Sequence, residues 1–168
     1  MLLITAGIET TKSAISGGML ALMNHPDQWS SLHKEPDGLA GAIEEMLRWT
    51  TPIHHFRRTA TRDTQVAGQR IREGDKVVVW YSSANRDESV FEEPFRFDIT
   101  RLPNEHLGFG FGRHFCLGAN LARLEMRVAF EAVLERGVQI ESRGDPDYLL
   151  SNFTNSLKRM PVEMRALR

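Results

Sequence analysis

The 168 residues carry 21 Lys+Arg against 22 Asp+Glu, a formal net charge of −1, with 41% hydrophobic and 26% charged residues. This ordinary globular balance excludes wholesale disorder, collagen and coiled-coil architectures, and it gives no basic footprint for nucleic acid. A lone cysteine, Cys116, rules out an internal disulfide framework and favours a reducing, cytoplasmic setting.

The apolar start, Met1 to Gly7, lacks a basic leader and is interrupted by Glu9 and Lys12, so neither a signal peptide nor a membrane span is expected. Leu2 to Asn24 reads as a helix, with Leu3, Ala6, Gly7, Thr10, Ala14, Gly17 and Ala21 near one face. No N-cap signal precedes it, so it reads as the continuation of something longer. Gly7, Gly17 and Gly18 are weak points in it. His25-Pro26-Asp27 ends it, and Pro26 to Lys34 reads as a short second helix. After the break at Asp37-Gly38, Leu39 to Trp49 is the clearest amphipathic helix, with Leu39, Ile43, Met46 and Leu47 on its apolar side.

From Pro52 the period changes. Arg58 to Val66 and Lys76 to Tyr81 read as strands around a turn at Arg72 to Asp75. Ser82 to Phe91 holds a helical turn or two. Glu93 to Gly118 is a long irregular loop, a length that is usually functional. Leu117 to Arg136 reads as a strong helix with Leu117, Leu121, Leu124, Val128 and Ala132 as its apolar face and Gly137 as its cap. Val138 to Met164 reads as short strands with a turn at Asn152 to Asn155. The fold class is α+β, mainly helical, without repeats.

The stretch that carries chemistry is Gly108-Phe109-Gly110-Phe111-Gly112-Arg113-His114-Phe115-Cys116-Leu117-Gly118-Ala119. A thiol stands where a glycine-rich loop enters a helix, and helix N-terminal N–H groups favour thiolate over thiol. Glycines admit a large flat group that side chains would push away. Phe109 and Phe115 supply an apolar wall; Arg113 and His114 are candidates for anionic groups. Together these suit haem ligated by cysteine. Taken alone, such a cysteine is more often a small buried hydrophobe. A dinucleotide loop fails because Arg113 stands where its third glycine should be. Phe109-x-x-Gly112-x-His114-x-Cys116-x-Gly118 resembles, at every defining position, the haem loop of the cytochromes P450, the haem-thiolate monooxygenases.

The resemblance implies haem b with Cys116 as the metal ligand and Phe109, Gly110, Gly112 and Gly118 on the loop side. Glu45-Met46-Leu47-Arg48 is similar to the family's Glu-x-x-Arg pair, and Pro94-Phe95-Arg96-Phe97 to its Pro-x-Arg-Phe segment. A structural clamp of Glu45, Arg48 and Arg96 behind the loop is implied. Without the family, an ion pair three residues apart is most often exposed and weak. Ala6-Gly7-Ile8-Glu9-Thr10-Thr11 resembles the oxygen-activation motif. Ala6 and Gly7 would leave room for a flat group or a diatomic ligand, and Thr10 and Glu9 would be the catalytic residues that handle protons. A threonine here can also bond back to a carbonyl and bulge the helix. A packed Thr and a solvated Glu are the plainer alternative. Arg58 matches the arginine that binds one haem propionate, His114 takes the other, and Arg57 could substitute. Ile53, His54, Phe153 and Thr154 would border the substrate, although Phe153 serves equally as plain core.

The likeness runs over essentially the whole chain and is to the soluble bacterial branch, particularly members acting on branched lipids, terpenes or sterol side chains. It implies O2 as co-substrate and electrons from NAD(P)H through a ferredoxin or flavoprotein reductase. Arg113 and Arg123 could dock an acidic carrier, although solvated surface explains them equally. Family members are more than twice as long. Residues 1–168 are therefore expected to be the carboxy-terminal portion of such a haem domain, with the amino-terminal helices and lid absent and apolar faces of the first helix exposed. Two alternatives stand beside the lipophilic monooxygenase. One is a truncated non-catalytic fragment that needs the missing part to bind haem and substrate. The other is a cysteine hydrolase or redox enzyme pairing Cys116 with a histidine. The six histidines form no zinc motif.

Overall fold

The computed structural model describes the backbone of residues 2–166 and the side chains from position 6 onward. Helix α1 (Leu2–Asn24) ends where Pro26 holds His25 outside the helical region, at φ −129° and ψ 72°. Helix α2 (Pro26–Lys34) starts on that proline and buries Trp29 and Leu32. After a 3-10 turn at Pro36–Gly38, α3 (Leu39–Thr50) buries Leu39, Ala42, Ile43, Met46 and Leu47. Thr51, left-handed at φ 41°, stops it. All three lie where the sequence places them, within a residue at each end.

Helix α1 crosses α3 at Gly17 and Gly18. A Cβ on Gly17 would come 2.6 Å from Thr50 Cγ2, and one on Gly18 2.8 Å from Met46 Sδ. The glycines that weaken α1 as an isolated helix are thus what lets it close on its neighbour. Of the expected face, Ala14 and Ala21 are buried while Ala6 and Gly7 are exposed, and Leu3 lies outside the described side chains. Ile8 is also exposed, as expected for an apolar face on this helix. The Thr10 hydroxyl donates to the Ala6 carbonyl (2.6 Å), yet Leu2–Asn24 stays α-helical and no bulge opens. A carbonyl has two lone pairs and can accept both bonds.

Strand β1 (His55–Thr59) pairs antiparallel with β4 (Lys76–Trp80), with Arg58 opposite Val77. β2 (Thr64–Val66) and β3 (Gln69–Ile71) form a separate hairpin, turned by Ala67 and Gly68 at φ 46° and 80°. The single strand expected over 58–66 is therefore two strands with different partners. Asp63 marks the break: its carboxylate accepts from the Glu73 N–H (2.9 Å) and from Arg70 (3.0 Å). Tyr81, expected in the strand, instead opens the short helix α4 (Tyr81–Ala84), with its N–H donated to the His54 carbonyl (2.8 Å).

Helix α5 (Ala119–Glu135) ends at Gly137, φ 54°. It corrects the sequence reading. Leu117, just before it, and Leu121, Leu124 and Val128 are all more than half exposed, whereas Ala119, Met126 and Phe130 are buried. The helix carries two apolar stripes with the same period, and only the packing partners, α1 and α3, decide which is core. β5 (Val138–Ser142) pairs with β8 (Val162–Ala166), and β6 (Asp147–Tyr148) with β7 (Leu157–Arg159). Among the described residues no helix is long and apolar enough to cross a membrane.

Phe130→Ala is expected to cost about 3–5 kcal/mol. Leu124→Gln, on the outer stripe, is expected to stay within about 0.5 kcal/mol. Urea unfolding of the two variants checks which stripe is core.

Candidate active site

The cysteine loop starts at Leu107, whose N–H donates to the buried side-chain oxygen of Asn85 (2.7 Å). It turns at Gly110, φ 70°, where a Cβ would lie 3.2 Å from the Tyr81 hydroxyl. Glycine meets both the left-handed φ and the close approach. A 3-10 turn at Gly112–His114 follows, and the Cys116 N–H donates to the Phe109 carbonyl (2.9 Å), closing the loop. Helix α5 begins at Ala119 rather than Leu117, so Cys116 precedes the N-cap, Gly118, and its carbonyl accepts the Ala119 N–H (3.2 Å). The Cys116 thiol is exposed. Phe111 and Phe115 are exposed on the same loop, and the half-buried Phe109 ring lies 6.2 Å from Phe115. Arg113 and His114 are exposed and pair with no carboxylate among the described residues.

Behind the loop, Glu45 and Arg48 are both fully buried. Arg48 forks onto the carboxylate, Nε to Oε2 and Nη2 to Oε1, each 2.7 Å. Its Nη1 donates to the carbonyls of Asn85 (2.8 Å) and Pro94 (2.9 Å), and Nη2 also to that of Arg96 (3.0 Å). All five guanidinium N–H groups are thereby used. Glu45 additionally accepts from the Asp98 N–H (2.9 Å) and from Asn104 Nδ2 (3.0 Å).

The second arginine is a correction. Arg96 sends its guanidinium outward to Glu93 (2.9 Å), with both side chains exposed, and contributes only its carbonyl. Arg101 is the residue that reaches Glu45, at 3.3 Å. Phe97 is buried, and its inward turn leaves the neighbouring Arg96 side chain in solvent. Arg123 is a second correction. Its guanidinium is engaged by Glu44 (2.6 and 2.8 Å) and lies 4.5 Å over the Phe109 ring, so it is not free to meet a carrier. Sequence reasoning missed Arg101, Asn85 and Glu44, which no local spacing links to the loop, and His106, which stands just before the loop but whose partner Glu44 is 62 residues away.

On α1, Lys12 pairs with Glu9 (2.9 Å). That hydrogen bond holds the Glu9 carboxyl below the usual carboxylate range, against a small burial effect and aided by the Ser156 hydroxyl. The two expected substrate segments, about a hundred residues apart in sequence, do meet. Ile53 bridges to Thr154, and the His54 N–H donates to the Phe153 carbonyl (2.9 Å). An aromatic group absent from the sequence reading surrounds them. The His55 ring lies 4.5 Å from Trp80, and Phe153 lies 5.4 Å from Phe56. Arg58 lies over the Phe56 ring at 5.9 Å, and Phe56 is 6.0 Å from Tyr81.

A lone exposed thiol on a glycine-turned loop, braced by a buried Glu–Arg fork, defines the class when set beside known proteins. The cytochrome P450 family profile matches residues 1–147, and the chain belongs to that family. It is 49% identical over 164 residues to the methyl-branched lipid omega-hydroxylase of Mycobacterium tuberculosis (strain ATCC 25618 / H37Rv), covering 96% of this chain and 38% of the relative. It is 46% identical over 166 residues to the steroid C26-monooxygenase of Rhodococcus jostii (strain RHA1), covering 98% and 35%. The structure of P450BioI in complex with hexadec-9Z-enoic acid ligated acyl carrier protein superposes with a TM-score of 0.95 at 40% identity, over 98% of this chain and 43% of that one. The chain thus spans roughly two-fifths of the length of the relatives it matches, in their carboxy-terminal portion.

Glu45→Gln leaves a buried guanidinium short of its counter-charge and is expected to cost about 3–5 kcal/mol. Arg101→Ala is expected to lower the urea midpoint measurably, while Arg96→Ala leaves it unchanged. The reverse order for the two arginines would return Arg96 to the clamp.

Proposed function

We propose that the chain carries the haem-thiolate site of a monooxygenase that inserts one oxygen atom of O2 into a lipophilic small molecule, with Cys116 as the iron ligand. The observation that carries this reading is the exposed Cys116 thiol, fixed by the Phe109 carbonyl at the end of the glycine-turned loop. The residues present fit haem b. The thiol is open, Phe109 and Phe115 offer an apolar surface, and Gly110, Gly112 and Gly118 keep bulk away from it. On α1, Ala6 is exposed and a Cβ on Gly7 would meet nothing within 4 Å. Arg58, a cation, and His114, a ring N–H donor, pair with no carboxylate among the described residues. Strand alternation puts Arg58 on the Phe56 face, which reaches the loop through Tyr81, and Arg57 on the other. This favours Arg58 for one propionate, with His114 for the second.

Haem, when bound, supplies the redox chemistry that activates O2, with electrons from NAD(P)H through a ferredoxin or flavoprotein reductase. The chain's own residues bind, orient and move protons. Thr10 Oγ1, its proton donated to the Ala6 carbonyl, keeps its lone pairs available to accept a hydrogen bond from a proton-carrying group at a fixed height on α1. Glu9, ionised beside Lys12, takes up and returns protons at its carboxylate. Ile53, His54, Phe153 and Thr154, with the adjoining rings, form a mainly apolar wall that orients substrate and excludes water. The methyl-branched lipid and steroid in the names of the two relatives support a lipophilic substrate class. Glu45, Arg48 and Arg101 hold the loop and take no part in the chemistry.

A second reading, a fragment that needs a further polypeptide to hold haem and substrate, is favoured by the exposed stripe on α5. One experiment separates the two. Hemin added to the purified chain and reduced under carbon monoxide is expected to give a red-shifted Soret band that is lost in Cys116→Ser. Uptake without that shift refutes thiolate ligation. No uptake removes the site from the isolated chain and favours the second reading.

A further inference from the structure

Glu44 and Glu45 are consecutive on α3 and so point about 100° apart. Glu45 serves the buried fork, and Glu44 serves a different group. Its Oε1 accepts from Arg123 Nε (2.6 Å) and its Oε2 from Arg123 Nη2 (2.8 Å). Oε2 also meets His106 Nε2 at 3.1 Å. The other ring nitrogen, His106 Nδ1, accepts the Gly108 N–H (3.1 Å). An accepting Nδ1 leaves the proton on Nε2, where it is donated to Glu44, so the two contacts select one neutral tautomer of a side chain that is 3% exposed. Burial works against the Glu44 charge, but the hydrogen bonds from Arg123 and His106 overcome it and hold the carboxyl at about 2.

Both arms end on consecutive residues of the cysteine loop. The His106 arm fixes the Gly108 amide. The Arg123 arm lays its guanidinium on the Phe109 ring. The Phe109 carbonyl in turn takes the Cys116 N–H. We propose that Glu44 is a positioning residue for Cys116: through His106 and Arg123 it fixes the outgoing side of the loop, and with it the direction in which the thiol points. The functional weight of this inference rests on the reading of Cys116 as a metal ligand; its geometry does not.

A group that merely adds stability would loosen the whole fold when cut, whereas a positioning group loosens the loop first. The full chain without haem tests this with Glu44→Gln and Arg123→Lys. The second variant keeps the charge but loses the fork and the stacking plane. Three readouts are taken: hydrogen exchange of the peptide over 106–116 by mass spectrometry, the rate of Cys116 alkylation by iodoacetamide, and the thermal midpoint. Loop exchange is expected to quicken about tenfold in each variant, and the alkylation rate to change severalfold. Exchange in α1 and the β2–β3 hairpin is expected to stay as in the parent. Unchanged loop exchange in a folded variant, or an equal rise everywhere, overturns the proposal. Should Glu44→Gln unfold the chain, Arg123→Lys decides alone. Hemin uptake by the parent is scored separately, so a chain that takes no haem yet loosens only at the loop removes the haem site from the isolated chain and keeps this inference.

Discussion

Two full charges stand inside this protein with no solvent exposure, Glu45 and Arg48. Moving each from water costs several kcal/mol, and mutual attraction repays that only when the remaining donors and lone pairs are also filled. They are, and the partners explain the architecture. Three of the five acceptors around Arg48 belong to irregular backbone, the carbonyls of Asn85, Pro94 and Arg96. That stretch has no sheet ladder to satisfy its carbonyls, so the guanidinium does it instead. The charge pair and the irregular segment each remove the other's desolvation cost. Asn85 carries the order onward: its carbonyl meets Arg48, and its side chain meets Leu107 at the mouth of the cysteine loop.

The same helix organises the other side. Successive residues of α3 point in different directions, and each meets a different part of the chain. Met46 packs on Gly18, Thr50 on Gly17, and the Thr50 carbonyl accepts from Asn155 Nδ2 (2.6 Å). Asn155 also donates its N–H to the Pro52 carbonyl (2.9 Å), which seats the turn that brings Thr154 to Ile53. Ser13 on α1 meets Ser156 beside it (2.7 Å, both buried). The candidate proton-handling residues, the candidate substrate turn and the cysteine loop are therefore separate segments registered against one rigid element, which is how side chains from distant segments keep useful geometry.

What the sequence made legible followed from local rules. Pro26 and the pattern Leu39, Ile43, Met46 and Leu47 place the first three helices, and the glycine and cysteine spacing places the loop. What it hid depended on choices between equivalent local patterns. Arg96 and Arg101 are both arginines a short way past Pro94, and only the burial of Phe97 decides which faces Glu45. The two stripes of α5 share one period, so periodicity could not rank Leu124 against Met126. Arg123 read as a surface cation because its partner, Glu44, lies 79 residues away. Asp63 split an apparently continuous strand through bonds to Arg70 and Glu73 that no propensity contains.

Helix α5 faces two ways. Its inner side holds Met126 and Phe130 in the core and Arg123 against Glu44 and Phe109. Its outer side leaves Leu121, Leu124 and Val128 in solvent, in line with Leu117 before it. Full burial of an exposed side chain of this size contributes about 1.5–3 kcal/mol; Leu121, Leu124 and Val128 are already nearly half covered, so the stripe leaves only part of that stabilisation unrealised. The core and the cysteine loop therefore share one element: α5 carries Met126 and Phe130 in the core and lays Arg123 on Phe109, whose carbonyl takes the Cys116 N–H.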